Sequence, residues 1–399
     1  MHTQNRTIPG LVWMLAGLTA LGPLAIDAYL PAFPDMAADL NVSVQSIELT
    51  VSLFLAGFAL GQLAGGPFSD HYGRRAAIFT GLTLFGIGTL GILLSPQVET
   101  VWVARFIQAF GGGVSVVNSA AIVRDLFRGA DSARAMSRIA AIMMVAPMLA
   151  PVLGSVMLHL GSWRSIFLVL LVYTLTLLLT LAYKMPETRQ VPDLPAISPL
   201  RRYLQVIRHR RALGFLVAVA FSHAAMFAFI TGSSGVYMAH FGASAATFPL
   251  LFGANVVVLL ICNQINIRIV HRFTPQRLLM LAQWTQGLIG CSLLSIIWLG
   301  EIQLWQLVPG IMLFIGLQGF IISNGMASTI EFFPQSAATA TAMVGATGFA
   351  LGGLSGALIG LLGDGSPLPM IAVMTGSVLV GITLRTLLHR NQATTTDTR

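Results

Sequence analysis

The chain has 399 residues, of which 55% are hydrophobic and only 9% charged. Soluble domains carry about 25% charged residues, so this composition, with a mean hydropathy of +0.81, excludes an ordinary soluble fold. The net charge of +8 does not point to nucleic acid, because the basic residues fall in turns between apolar runs, where they orient a membrane protein.

Apolar runs of about 20 residues, enough to cross a hydrocarbon core roughly 30 Å thick, recur between short polar turns. Twelve are predicted. Helices 1 to 6 lie near residues 9–31, 45–69, 75–95, 99–122, 132–158 and 163–184. Helices 7 to 12 lie near 211–235, 245–268, 275–297, 301–324, 334–360 and 367–388. Helix 1 is too long for the apolar part of a usual signal peptide and runs into Asp27 and Pro31 without a convincing cleavage site. Cys262 and Cys291 fall inside spans without CxxC or metal spacing and read as small apolar residues, so no metal site is expected.

Alternate turns hold the basic residues: Arg74 and Arg75; Arg124, Arg128, Arg134 and Arg138; Lys184 through Arg211; Arg268, Arg272 and Arg277; then Arg385, Arg390 and Arg399. An excess of positive charge marks the cytoplasmic side. The opposite turns carry Asp35, Asp39, Glu48, Glu99, Glu301 and Asp364. Of 22 basic residues only Arg164 falls outside, while Arg105 lies within a span, so both termini are expected in the cytoplasm.

Between helices 6 and 7 the composition changes to Pro192, Pro195 and Pro199, followed by Arg201, Arg202, Arg208, Arg210 and Arg211. This predicts an N-terminal bundle over 1–184, a basic cytoplasmic linker over 185–210 and a C-terminal bundle with a short tail over 211–399. The linker's basic part reads equally as a short helix on anionic headgroups or as a solvated connection. Asn118, Ala121, Asp125 and Phe127 recur at the same spacing as Asn324, Ala327, Glu331 and Phe333, a constant offset of 206 residues. Helix 10 thus repeats helix 4, and the expected fold class is all-α, with twelve transmembrane helices in two pseudo-symmetric six-helix bundles.

An ionisable group inside a span costs about 2.5–3.5 kcal/mol at the helix centre on insertion scales and is a functional candidate by default. Asp27 on helix 1 and Arg105 on helix 4 lie at matching depths below the outer helix ends. A nearby cation favours the carboxylate and burial favours the acid, which makes the protonation of Asp27 switchable; a structural ion pair is the alternative. Gln108 adds a donor and an acceptor one turn from Arg105, and Gly111, Gly112 and Gly113 permit close approach to the helix 4 backbone. On helix 5, Pro147 and Pro151 share a face with Ala150 and Gly154, a pattern for a loosened pivot or a static kink.

The turn from Gly66 to Ile78 holds Asp70, Gly73, Arg74 and Arg75 between two apolar runs. Asp70 is placed to meet the positive end of helix 11 near Pro334, and Arg74 or Arg75 to pair with Asp125, forming a conformational latch. In the second half His223, Asn255, Gln318 and Asn324 add polarity. With Tyr29, Gln108 and the adaptable Met226 and Phe227, they are the candidates for a drug-sized cavity.

These residues together resemble the major facilitator superfamily, and within it drug:proton antiporters of the Bcr/CflA type. Gly66, Asp70, Gly73, Arg74 and Arg75 match the superfamily's signature loop, with His71 where arginine is usual. Arg105, Gln108 and Gly111 match the helix 4 motif associated with proton coupling, with Ala109 in place of glycine. Ala150 to Ser155 resembles the helix 5 exporter motif, in which Ala150 and Ser155 replace glycines. The stretch from Pro23 to Pro34 is similar to helix 1 of the Bcr/CflA group and places Asp27 where that group has its acid. Thr19 stands where some related exporters have a second acid, leaving Asp27 as the candidate proton carrier. The resemblance implies a monomeric exporter in the bacterial inner membrane. It would exchange incoming protons for small amphipathic drugs by alternating access, drawing on the proton gradient with no cofactor and no covalent chemistry. Transport of an amino acid or another metabolite is the alternative on the same scaffold, and a non-transporting receptor or assembly subunit is more remote.

Overall fold

The computed structural model describes residues 10–127, 129–189, 199–300, 302–333 and 337–390. Among these, twelve helical stretches are long and apolar enough to cross a membrane. Helices 1 to 6 occupy Leu11–Asp39, Val44–Tyr72, Arg74–Leu94, Val98–Leu126, Arg134–Leu160 and Trp163–Lys184. Helices 7 to 12 occupy Arg210–His240, Phe248–Ile269, Pro275–Leu299, Leu304–Ile330, Thr339–Leu362 and Leu368–Arg390.

Three spans are less regular than the apolar runs imply. Helix 1 stops at Asp27, passes through a 3-10 turn at Leu30–Ala32 and resumes at Phe33–Asp39. Pro31 and Pro34 supply no N–H to the ladder, so a continuous helix over 9–31 is not available. Helix 7 ends in a π-helical turn over Gly235–His240. Helix 10 is broken at Leu317, between Gly316 and Gln318.

The chain divides into two compact units, one of Met1–Val42 with Leu53–Ala196 and one of Ser43–Ser52 with Ile197–Arg399. In the first, helix 1 packs against helices 4, 5 and 6, while helix 3 lies along helices 4 and 6. In the second, helix 7 packs against helices 10, 11 and 12, while helix 9 lies along helices 10 and 12. The neighbours of helices 1 and 3 are therefore repeated around helices 7 and 9 with each number advanced by six. Local detail repeats too: Asn118 Nδ2 donates to the carbonyl of Val114 at 2.8 Å, and Asn324 Nδ2 to that of Phe320 at 2.9 Å.

Of the basic linker, the segment Pro199–Arg208 is helical. Its Val206 is buried against Leu216, Val219 and Val344 with Tyr203 alongside, so part of its apolar side packs on the second unit. Pro192 and Pro195 lie outside the described residues.

Candidate functional site

Arg105, about two turns into a helix whose Gly111 and Gly113 abut the backbones of helices 3 and 2, is wholly buried. Its Nη1 donates to Gln108 Oε1 at 2.6 Å, and its Nη2 to the carbonyl of Ala25 on helix 1 at 3.1 Å. Gln108 Nε2 donates onward to Thr89 Oγ1 on helix 3 at 2.8 Å, and the Thr89 hydroxyl donates to the carbonyl of Phe85 at 2.7 Å. The guanidinium carbon lies 4.3 Å from the ring centroid of Tyr29, 4.5 Å from Phe54 and 5.9 Å from Phe167. Away from water a cation over an aromatic face gains about 2 kcal/mol. Rings and neutral oxygens, rather than a carboxylate, are thus what surround this charge.

Asp27 is also buried, but among the described residues it makes no ion pair with Arg105, and its Oδ1 has no hydrogen-bond partner. The direct pair allowed by the sequence is absent: Nη1 and Nη2 of Arg105 bond elsewhere, and its Nε has no partner. The two groups are linked through backbone instead, since Arg105 holds the carbonyl two residues before Asp27. Helix 5 closes the other side. It runs helical through Pro147 and Pro151, buries Ala150, and brings Gly154 so near the Ala28 carbonyl that a Cβ there would collide with it. The Asp27 backbone is therefore gripped from helices 4 and 5 while its carboxylate stays uncommitted.

The turn between helices 2 and 3 is shorter than its sequence implies. Helix 2 continues through Gly66 and Asp70 to Tyr72, and Gly73 alone makes the turn, at φ +101°. Gly66 faces open space, so nothing in the structure requires glycine there. Arg74 Nη1 pairs with Asp70 Oδ1 at 2.7 Å and its Nε with Asp125 Oδ2 at 3.1 Å, linking helices 2, 3 and 4. Arg75 instead donates to the carbonyls of Met185 and Ala182, at 3.2 and 2.9 Å. The Pro334 end of helix 11, expected near Asp70, lies outside the described residues.

Glu187, which the sequence reading did not single out, fastens this turn. Its oxygens accept the backbone N–H groups of Arg74 and Arg75 at 2.9 and 3.1 Å, capping helix 3, and those of Thr188 and Arg189. Partial burial raises its carboxyl, but the four N–H donors outweigh burial and hold it below the usual glutamate range. A side chain on Gly73 would run into the same carboxylate. No local pattern signals this contact, because Glu187 is 113 residues from Arg74.

The cavity candidates are divided between the two units. Tyr29 and Gln108 enclose Arg105 in the first unit. In the second, Gln318 and Ser222 bond reciprocally, with Ser222 Oγ donating to Gln318 Oε1 at 2.8 Å and Gln318 Nε2 to the Ser222 carbonyl at 2.7 Å. Asn324 donates to Asn266 Oδ1 at 2.7 Å, and Asn255 to the Leu251 carbonyl at 2.8 Å. The ring of His223 bonds the Val219 carbonyl at 3.0 Å, beside Gly348. The ring of Phe227 lies tilted against that of Phe349, centroids 5.3 Å apart, and Met226 is half-buried. Two charges assigned to turns are buried in the structure: Arg385 within helix 12 and Glu48 in helix 2. Burial is not visible in a charge that stands a few residues from a helix end.

A sequence model of the Major Facilitator Superfamily matches residues 15–357. The chain is 32% identical over 388 residues to a bicyclomycin resistance protein homolog of Haemophilus influenzae, covering 96% of each chain. It is 31% identical over 342 residues to Multidrug resistance protein D of Escherichia coli, covering 84% of each. A solved POT family transporter in complex with a thioalcohol-conjugated peptide superposes with a TM-score of 0.75 at 12% identity, covering 95% of this chain and 94% of that one. Twelve apolar helices, the buried arginine of helix 4 and this similarity over nearly the full length lead to one conclusion: the chain belongs to the major facilitator superfamily, as a multi-pass protein of the bacterial inner membrane.

Proposed function

We propose that this chain is a proton-coupled exporter of small amphipathic drugs, with Asp27 as the proton carrier and Arg105 as the fixed charge beside it. The observation that carries the reading is the buried Asp27 carboxylate, free of any ion pair, on a backbone held two residues away by Arg105. A buried acid in a permanent salt bridge holds one charge state. An acid without one changes state as water or a cationic neighbour reaches it. Protonation removes a charge next to the Arg105 cage and changes how that region packs, which biases the protein between its two access states. Gly154 transmits the change to helix 5, because it leaves no space between that helix and the Ala28 carbonyl. The drug-resistance names of relatives at 31–32% identity support an exported drug as the cargo. The cycle requires no cofactor, a single copy suffices, and basic turns such as that at Arg74 lie on the cytoplasmic side.

Everted membrane vesicles energised to an acid interior test this. Addition of each drug in a panel, with amino acids and other metabolites included, is expected to dissipate the pH gradient for at least one drug with wild type and for none with Asp27→Asn. Uphill export undiminished in Asp27→Asn would refute the role of Asp27, and a response to metabolites alone would replace the drug by a metabolite.

A further inference from the structure

Arg385, in the second unit, is a buried cation without a counter-charge. It stands a little more than one turn before the end of helix 12, is 2% exposed, and leaves Nε and Nη2 without a hydrogen-bond partner. Among the described residues no carboxylate pairs with it. Helix 12 packs on helices 7, 9 and 11, and none of these four spans contains an Asp or a Glu. Glu331, at the end of helix 10, is exposed and accepts from Gln276 Nε2 at 3.3 Å. The surroundings add positive charge instead. One turn beyond Arg385, the ring of His389 donates from Nε2 to the carbonyl of Arg211, in the first turn of helix 7, at 3.1 Å. The charges of Arg385 and Arg211 both act on that ring. Gly214 lies so near it that a Cβ there would collide, so the positive end of the helix 7 dipole borders the same place.

A guanidinium withdrawn from water calls for an anion. Nε and Nη2 form one edge of its planar fork, spaced for two oxygens of a phosphate. That edge faces protein, but no hydrogen bond holds the side chain, so nothing is broken when it swings toward the helix ends. A free phosphate and a phospholipid share this chemistry. Apolar surface beside the site favours the lipid: Leu384 and Leu387 flank Arg385 on helix 12 and are exposed, as are Met280 and Leu281 on helix 9, which packs against it. We infer that Arg385, Arg211 and His389 form a site for the phosphate of an anionic phospholipid, in the leaflet on the side of the basic turns. The lipid supplies the missing counter-charge and ties the end of helix 12 to the start of helix 7. The inference does not rest on the exporter reading, because binding is read without transport.

Thermal unfolding of the delipidated full chain in an uncharged detergent tests it, since a ligand of the folded state raises the midpoint by mass action. Dioctanoylphosphatidylglycerol supplies phosphate and chains, dioctanoylglycerol the chains alone, and inorganic phosphate the anion alone. The wild-type midpoint is expected to rise with the first and to stay in place with the other two at the same concentration. Arg385→Gln removes an unpaired buried charge, so without lipid it is expected to melt no lower than wild type. It should need about tenfold more phosphatidylglycerol for the same rise. Arg211→Gln alters an exposed residue, is expected to need severalfold more of the lipid, and decides the matter if Arg385→Gln does not fold. No rise in wild type, an equal rise with dioctanoylglycerol, or an unchanged lipid requirement in the variant that folds would overturn the inference. An equal rise with inorganic phosphate, lost in Arg385→Gln, would replace the lipid by a free anion. A lipid-free Arg385→Gln that melts below wild type and responds to phosphatidylglycerol as wild type does would instead assign Arg385 to packing, beside the unpartnered Oε1 of Gln283.

Discussion

In helix 4 an arginine is held by Gln108, by the Ala25 carbonyl and by three aromatic rings, whereas 206 residues later helix 10 has the buried, apolar Ile311. Among the polar groups buried around helix 10, Ser222 and Gln318 satisfy one another in both directions. Matched neutral networks rigidify. Around these two helices, the hydrogen bonds of the first unit centre on a charged group and those of the second on neutral amides and hydroxyls.

Removing the centre of each network should break this contrast most widely. Arg105→Ala strips two charge-assisted hydrogen bonds and the aromatic contacts, and is expected to cost about 3 kcal/mol or more and to abolish drug-driven proton movement. Gln318→Leu, in the neutral network, is expected to cost about 1 kcal/mol and to leave transport measurable. Thermal unfolding in detergent together with the vesicle assay reads both, and equal losses would erase the distinction between units. Next in size is Gly154→Ala, whose new methyl meets the Ala28 backbone; about 1–3 kcal/mol and a large loss of transport are expected. A variant that transports like wild type would show that helix 5 does not need this approach.

The repeated asparagines sharpen the comparison at finer scale. Asn324→Leu leaves Asn266 without its donor, while Asn118→Leu removes a bond only to its own helix. The former should cost about 1 kcal/mol more in the same melts. The smallest effect is expected at Glu187, an exposed group. Its carboxyl is held below the ordinary value of 4.5, so the folded turn binds fewer protons than the unfolded one. Its contribution is complete above that value and is lost as pH falls through the lower folded-state value. Protection of the Arg74 and Arg75 amides, measured against their intrinsic exchange rates at each pH, should fall on acidification of wild type and already be low, with little pH dependence, in Glu187→Gln.

The twelve spans were legible because length and hydropathy carry that information locally, and the helix 4 and helix 10 repeat announced the shared neighbour pattern. The interruption after Asp27 was also in reach, since Pro31 and Pro34 stand in plain view; an apolar run hides a break that its prolines declare. The partners of Arg105 were a different matter. Phe54 and Phe167 come from helices 2 and 6, and nothing in either segment distinguishes them from lipid-facing phenylalanines. Asp27 and Arg105 were recognisable singly, because charge in a span is rare, but their separation depends on rings supplied by tertiary structure. Glu48 was misplaced for the converse reason: an acid one turn from a helix end looks solvated until its neighbours are known.

The fastening of the Gly73 turn has a consequence for how this chain can be divided. Every group that secures it, from Ala182 through Glu187 to Arg189, precedes residue 190 and belongs to the first unit. A gene cut between codons 189 and 199 would yield a first polypeptide that carries its own clasp, whereas a cut before codon 182 would leave helix 3 uncapped and Arg75 without its carbonyls. Coexpressed fragments split at the later point are the pair expected to reassemble.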